Sequence, residues 1–107
     1  MKRLITVLLL TVVVALSACG GDVTPDYNTK EFESALNDGE DLVGKIVEVE
    51  IEHIEPDSAF GYNLQAGEHL NFVSSKNPNV EIGDTITVEV EEVDSMLGSF
   101  IITYKKR

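Results

Sequence analysis

One cysteine, two histidines and nineteen carboxylates are the side chains of this 107-residue chain that could do chemistry. Cys19 is the only thiol, so the chain forms no internal disulfide and its core must hold the fold without one. Zinc sites use closely spaced histidines or pairs of cysteines, and His53 and His69 form no such pattern. We therefore expect no metal site and no bound cofactor.

Carboxylates alternate with apolar residues in two segments. Glu48, Glu50 and Glu52 share one face of a predicted strand, and Glu89 and Glu91 share one face of another. If these strands pair, they form an acidic ladder of the hard oxygen ligands that Ca²⁺ prefers. No D-x-[DN]-x-[DN]-G loop accompanies them. The interpretation that we favour is a solvated outer face.

Motifs for nucleophilic catalysis are missing from the sequence. It contains no G-x-S-x-G turn and no glycine-rich loop that would cradle a phosphate. Abundant carboxylates without a defined spacing do not indicate a glycosidase. We predict no catalytic residue and no enzymatic activity.

The charge balance excludes one class of partner. Without residues 1–18, six basic side chains remain against nineteen acidic ones, a formal charge of −13. Binding to nucleic acid requires neutralisation of phosphates, so we expect no nucleic-acid partner. The same charge should hold the domain away from an anionic lipid surface.

The N-terminus has the pattern of an export signal. A positive start, Met1-Lys2-Arg3, precedes a 13-residue apolar run from Leu4 to Leu16, too short for a comfortable membrane span. The segment Leu16-Ser17-Ala18-Cys19 resembles the lipobox of bacterial lipoproteins. The resemblance implies transfer of a diacylglyceryl group to the Cys19 sulfur and cleavage between Ala18 and Cys19. The alternatives are an ordinary signal peptide with a chance cysteine and an uncleaved anchor helix.

This resemblance implies that the mature chain is acylated, by palmitate or similar chains, and lies on the extracytoplasmic face of a cell membrane. Two acyl chains anchor a protein stably, whereas one gives only marginal binding. Residues 20–27 are rich in glycine, proline and aspartate, which predicts a flexible tether. We therefore divide the chain into a signal peptide (1–18), a lipidated cysteine with its tether (19–27) and one small domain (28–107).

The domain begins with a short helix and continues as strands. Asn28 and Glu31 have the spacing of a capping box, and Gly39 is placed to end the helix. Five strands are predicted from residues that alternate between apolar and polar or lie between turn signals; they start at Gly44, Gly61, His69, Thr85 and Phe100. The first strand should stop at the turn signal Pro56-Asp57-Ser58, and Met96-Leu97-Gly98 should turn the chain into the last one.

One short helix followed by five antiparallel strands predicts a mainly β fold, a small closed or half-closed barrel. Residues 43–104 resemble the OB-fold domains of small bacterial lipoproteins, although no diagnostic motif carries this resemblance. An open antiparallel meander or sandwich is the alternative. The acidic charge and the lack of Trp depart from nucleic-acid-binding OB folds.

The face of the second and third strands is the usual ligand surface of OB folds. The resemblance implies that a ligand contacts four side chains on this face: Tyr62, Asn63, His69 and Asn71. The alternative is that these residues belong to the barrel core and its rim.

Two classes of function follow. The first is a non-catalytic binding module, tethered to the membrane, for an extracytoplasmic protein or a small ligand. The second is a structural or protective surface lipoprotein, of the exclusion or immunity type, that acts by its anchored presence.

Overall fold

The computed structural model describes residues 24–107. The predicted signal peptide, the lipobox and Cys19 lie outside the described residues.

The predicted helix is confirmed. Helix α1 spans Thr29–Asn37, and its N-terminus carries a capping box. The Asn28 side chain accepts from the Glu31 N–H at 2.8 Å, and the Glu31 carboxylate accepts from the Asn28 N–H at 3.0 Å. Gly39 follows with φ of +81°, the left-handed conformation that commonly ends a helix. The helix buries Phe32, Ala35 and Leu36 against the sheet.

Seven strands make up the rest of the described chain, in one sheet. In chain order they are β1 (Tyr27–Asn28), β2 (Ile46–Glu50), β3 (His53–Ser58), β4 (Gly61–Ala66), β5 (Leu70–Ser74), β6 (Thr85–Met96) and β7 (Ser99–Lys106). Their spatial order is β1-β2-β6-β7-β5-β4-β3.

The fold is mainly β with one short helix, but the prediction of a five-stranded antiparallel barrel is wrong in its details. The sheet has seven strands and is mixed, because β1 pairs parallel to β2 and β5 pairs parallel to β7. It is not closed, since β1 and β3 stand at its two ends. The number of strands exceeds the prediction because β1 was not foreseen and because residues 51–52 divide the first predicted strand into β2 and β3.

Pro56 does not end a strand as predicted. It lies inside β3, where the register against β4 shifts between Glu55 and Ser58. Because β3 is at the end of the sheet and irregular at this point, a residue without an N–H is tolerated there. The turn comes later, between Ser58 and Gly61.

The last two residues of the predicted tether, Asp26 and Tyr27, are bonded to the domain. Tyr27 pairs with Val47 in β1 and packs against the core. The Asp26 N–H donates to the Ile46 carbonyl at 2.7 Å, and the Ile46 N–H donates back to the Asp26 carboxylate at 3.0 Å. The chain is therefore hydrogen-bonded to β2 from Asp26 onward.

The core lies between helix α1 and the inner face of the sheet. Phe32 from the helix is 5.9 Å from Phe72 of β5, centroid to centroid, and Phe72 meets Tyr104 of β7 edge-on at 6.1 Å. The aliphatic part of the core comes from β2, β4, β5, β6 and β7; its fully buried members include Val47, Val49, Leu64, Leu70, Val88, Val90 and Ile102. Burial of this apolar surface is the main force that holds the helix on the sheet.

The hairpin between β6 and β7 turns where predicted. Leu97 and Gly98 both have positive φ, at +50° and +83°. Two left-handed residues in succession are typical of the type I′ turn that joins twisted strands. Leu97 is fully exposed at this tip.

Candidate binding groove

Three carboxamides meet on the outer face of β4 and β5. The Asn63 Nδ2 donates to Asn71 Oδ1 at 3.0 Å, and the Gln65 Nε2 approaches the same oxygen at 3.4 Å. Asn71 in turn donates to the Phe100 carbonyl of β7 at 3.2 Å. The amides lie on this face because they alternate with Leu64, Leu70 and Phe72, which point into the core.

A groove of about 260 Å³ runs beside these amides, at the end of the sheet near the β4–β5 turn. We call it the amide groove. Its lining combines two carboxamides with both histidines of the chain, two glutamates and a serine: Gln65, Asn71, His53, His69, Glu52, Glu68 and Ser99. Ala66, Gly67 and Leu70 complete it. Three sequence segments are thus brought together: 52–53, 65–71 and Ser99.

The four residues that the sequence offered to a ligand do not all line this groove. His69 and Asn71 line it. Asn63 lies behind Asn71 on the same face, joined to it by the amide hydrogen bond, and is 6 % exposed. Tyr62 points the other way and packs against the core, because neighbouring residues of a strand alternate between faces.

Sequence analysis missed the residue that fixes the β4–β5 turn. The carboxylate of Glu33, on helix α1, accepts from the N–H of Glu68 at 2.8 Å and from that of His69 at 2.7 Å. Glu33 is a buried charged side chain, and a Cβ at Gly67 would collide with its Oε1. The signal was weak, because Glu33 sits next to Phe32 in a helix that carries a second glutamate, Glu31, and its partners lie far away in the sequence.

The glutamates do not form the acidic ladder that was the alternative to a solvated face. Threonines stand opposite two of its glutamates, since Glu48 pairs with Thr87 and Glu50 with Thr85. Glu91 falls at the register shift between Val90 and Glu92 and has no partner of its own. Within residues 24–107, no three His, Cys, Asp or Glu side chains are grouped so that they could hold a metal ion.

Most of these acids instead border a second, wider groove of about 800 Å³ between helix α1 and β2. Its acidic lining consists of Glu33, Asp38, Glu48, Glu50, Glu52 and Glu68. Apart from Glu33, their carboxylates are exposed and accept no hydrogen bond from the described chain that would fix them. This groove is therefore a solvated acidic surface.

No helix in the part of the chain that the structure describes is long and apolar enough to cross a membrane. No protein-family model, no curated protein and no solved structure matches the chain.

Proposed function

We propose that this chain is a lipoprotein held by a diacylglyceryl anchor at Cys19 on the extracytoplasmic face of a cell membrane, and that its β domain is a non-catalytic binding module. The amide groove is the observation that carries the binding role. Its two carboxamides, Gln65 and Asn71, are held by amide hydrogen bonds on β4, β5 and β7, and Glu33 separately fixes the backbone of the β4–β5 turn at Glu68 and His69. Such fixed polar groups in a concave site give a ligand orientation and specificity.

We also propose that the sheet has the connectivity of an OB-like barrel in which β2 and β3 act as one bent strand. The Ile51 N–H donates to the Asp84 carbonyl at 2.8 Å, and the Glu52 N–H donates to the Gln65 carbonyl at 2.9 Å. The two residues between β2 and β3 therefore remain bonded to the β4 side and to the loop before β6. With β2 and β3 counted together and the two-residue β1 set aside, five strands remain, which supports the OB-like interpretation.

The anchor is tested on protein made by a cell that exports it. We expect mass spectrometry of the membrane fraction to find residues 1–18 removed and diacylglyceryl on the Cys19 sulfur. The Cys19→Ala variant should keep the leader and gain no lipid. A natively made chain with an intact leader, or with a free thiol at Cys19, would refute the anchor.

The binding role is tested by crosslinking in living cells. We expect His69→Ala and Asn71→Ala to lose a crosslinked species that the unchanged chain and the remote, exposed control Glu40→Ala both retain. If both groove variants capture partners as the unchanged chain does, the groove is not the binding site.

The protective role remains the second hypothesis, and the same variants separate it from binding. An anchored barrier loses its effect with Cys19→Ala and keeps it with groove variants, because its action depends on position at the membrane. Full activity of a soluble, unlipidated domain would rule it out.

A further inference from the structure

The tip of the β6–β7 hairpin presents two exposed apolar side chains together. Leu97 is 100 % exposed, and its neighbour Met96 is 48 % exposed. The other exposed large apolar residues of the described chain, Val43, Phe60 and Ile82, stand singly along the sequence. Scattered apolar side chains are normal on a protein surface, whereas two adjacent ones at the end of one hairpin call for an explanation.

The backbone at this tip is unfavourable for a leucine. Leu97 has a φ of +50°, and Gly98 follows with a φ of +83°. The first central position of a type I′ turn favours Asn, Asp or Gly, and a bulky side chain with positive φ is an outlier. Because the side chain is fully exposed, packing within the described chain does not account for it either. Such an outlier indicates a function outside the fold.

The hairpin extends beyond the sheet at the end where β2 begins. β2 pairs with residues 85–89 of β6, and the Val90 N–H then donates to the Lys45 carbonyl at 2.9 Å. Within the described chain, residues 92–96 of β6 pair with β7 alone. Extended chain from Val90 to Leu97 spans about 20 Å, so the tip lies well beyond the start of β2.

The chain enters the domain at this same end. β1 runs parallel to β2, and Asp26 is hydrogen-bonded to Ile46, the first residue of β2. Ile46 pairs in turn with Glu89 of β6, so Asp26 and the base of the hairpin are two strand spacings apart, about 10 Å. Since β6 runs antiparallel to β2, the hairpin projects on the side where the chain enters β1. The sequence from Cys19 to Asp26 spans at most about 25 Å.

We propose that the β6–β7 tip inserts into the phospholipid bilayer that holds the lipid at Cys19, as a second, shallow attachment that fixes the orientation of the domain. This insertion rests on the anchor proposed above. The tip and Cys19 reach similar distances from the sheet, about 20–25 Å, on the same side. Because the anchor keeps the tip near the bilayer, even a weak insertion is effective, as for any second contact that a tether makes intramolecular.

The charges of the hairpin limit this insertion to its tip. Glu92 and Asp94 are exposed on β6 and must stay in water. Asp94 is about 10 Å from Leu97 along the strand, so only Met96 and Leu97 enter the boundary between headgroups and acyl chains. Residues 91–99 contain no Lys or Arg, so the attraction is to acyl chains and not to anionic headgroups. The acidic body of the domain stays away from the bilayer.

A single introduced Trp tests the insertion, because the chain contains none of its own. The lipoprotein is purified from the exporting cell and reconstituted into phosphatidylcholine vesicles with or without bromine on the acyl chains, where bromine quenches a Trp that reaches it. We expect Leu97→Trp to lose at least about half of its emission in the brominated vesicles.

The matched control is Phe60→Trp, at another exposed apolar position. The β3–β4 turn that carries Phe60 lies beside Ser74, at the opposite end of β5 from the hairpin tip. Its emission should be the same in both kinds of vesicle.

A second reporter keeps the leucine in place. Met96→Trp should also be quenched, and adding Leu97→Asn to it should lower the ratio of inserted to free tip about tenfold, since one leucine side chain no longer leaves water. Asn is favoured at this turn position, so Leu97→Asn should leave the thermal unfolding midpoint unchanged or raise it. Should Leu97→Trp fail to fold, Met96→Trp with and without Leu97→Asn decides the matter.

Four outcomes contradict the insertion. Quenching of Phe60→Trp as strong as that of Leu97→Trp, or no effect of Leu97→Asn on Met96→Trp, would overturn it. Unquenched tip reporters in a chain that carries the lipid by mass would overturn it and leave the anchor standing. A blue-shifted tip emission without quenching would overturn it in favour of a protein contact, such as a second copy of this chain. A chain without lipid at Cys19 would refute the anchor, and the insertion with it.

Discussion

The two faces of β4, β5 and β7 differ in composition. The inner face carries apolar and aromatic side chains such as Leu64, Phe72 and Tyr104. The outer face mixes polar side chains with apolar ones: Asn63, Asn71, Thr103, Val73 and Ile101. Each face also holds one buried polar atom that has no hydrogen-bond partner in the described chain, Tyr104 Oη inside and Asn63 Oδ1 outside.

The difference between these two atoms lies in their surroundings. The Tyr104 ring packs against Phe72 in the core, so its hydroxyl is the polar end of a side chain held by apolar contacts. Asn63 belongs to a chain of amide hydrogen bonds that leads to a groove. The two unpartnered buried atoms thus differ in setting: one is surrounded by apolar contacts, and the other belongs to a set of hydrogen-bonded amides. Burial alone does not distinguish the two.

The largest effect should come from truncation of the inner face. Phe72→Ala removes a ring that is 1 % exposed and contacts both Phe32 and Tyr104, so we expect a loss of about 3–5 kcal/mol in the free energy of unfolding. Thr103→Ala, on the outer face of the adjacent β7, should cost less than about 1 kcal/mol. Urea unfolding measures both. Equal losses would show that the outer face contributes to the core as the inner face does.

The next effect concerns the turn that positions the amide groove. Gly67→Ala places a Cβ against the Glu33 carboxylate at a φ of +56°, so we expect a loss of about 2–3 kcal/mol from the two charge-assisted hydrogen bonds and from backbone strain. The matched control is Gly39→Ala, where φ is +81° and no atom lies within 4 Å of the added Cβ. It should cost only about 1 kcal/mol. A control as damaging as Gly67→Ala would mean that strain, and not Glu33, determines the stability of the turn.

Local patterns predicted the helix and most strands because the interactions that define them join residues close together in the sequence. The capping box joins Asn28 to Glu31, and the alternation of Val47, Val49 and Ile51 reports a half-buried strand wherever its partner lies. The prediction that a strand stops at Pro56 was wrong because a proline is tolerated in an irregular strand at the end of a sheet. Which strand lies at the end depends on the whole topology, which no local pattern shows.

The candidate site was predicted only in part for the same reason. His69 and Asn71 are close in sequence and both reach the groove. Glu33 contacts the turn from 35 residues away, which no local pattern records. Tyr62 was placed with Asn63 although adjacent strand residues point to opposite faces, so the alternation that identified β4 already separated them.

A smaller effect tests the inner unpartnered atom. Tyr104→Phe removes a buried hydroxyl without changing the shape of the ring, so stability should rise by up to about 1 kcal/mol. Thermal unfolding measures the change. Destabilisation by Tyr104→Phe would show that the hydroxyl is hydrogen-bonded in solution, and the contrast with Asn63 would then fail.

The smallest effect is a dependence of stability on alkaline pH. Burial raises the pKa of the Tyr104 hydroxyl above its ordinary value of 10.0; the nearby Ser74 side chain offsets this in part, although its placement does not complete a hydrogen bond. The folded chain holds this proton more tightly than the unfolded chain. The contribution of the protonated hydroxyl to the free energy of unfolding is therefore complete below pH 10 and is lost as the pH rises through the folded pKa. Urea titrations at pH 8 and pH 11 should therefore show a smaller alkaline loss in Tyr104→Phe than in the unchanged chain. Identical losses would mean that Tyr104 ionises as freely in the fold as in the unfolded chain, and the inner face would then be open to water as the groove is.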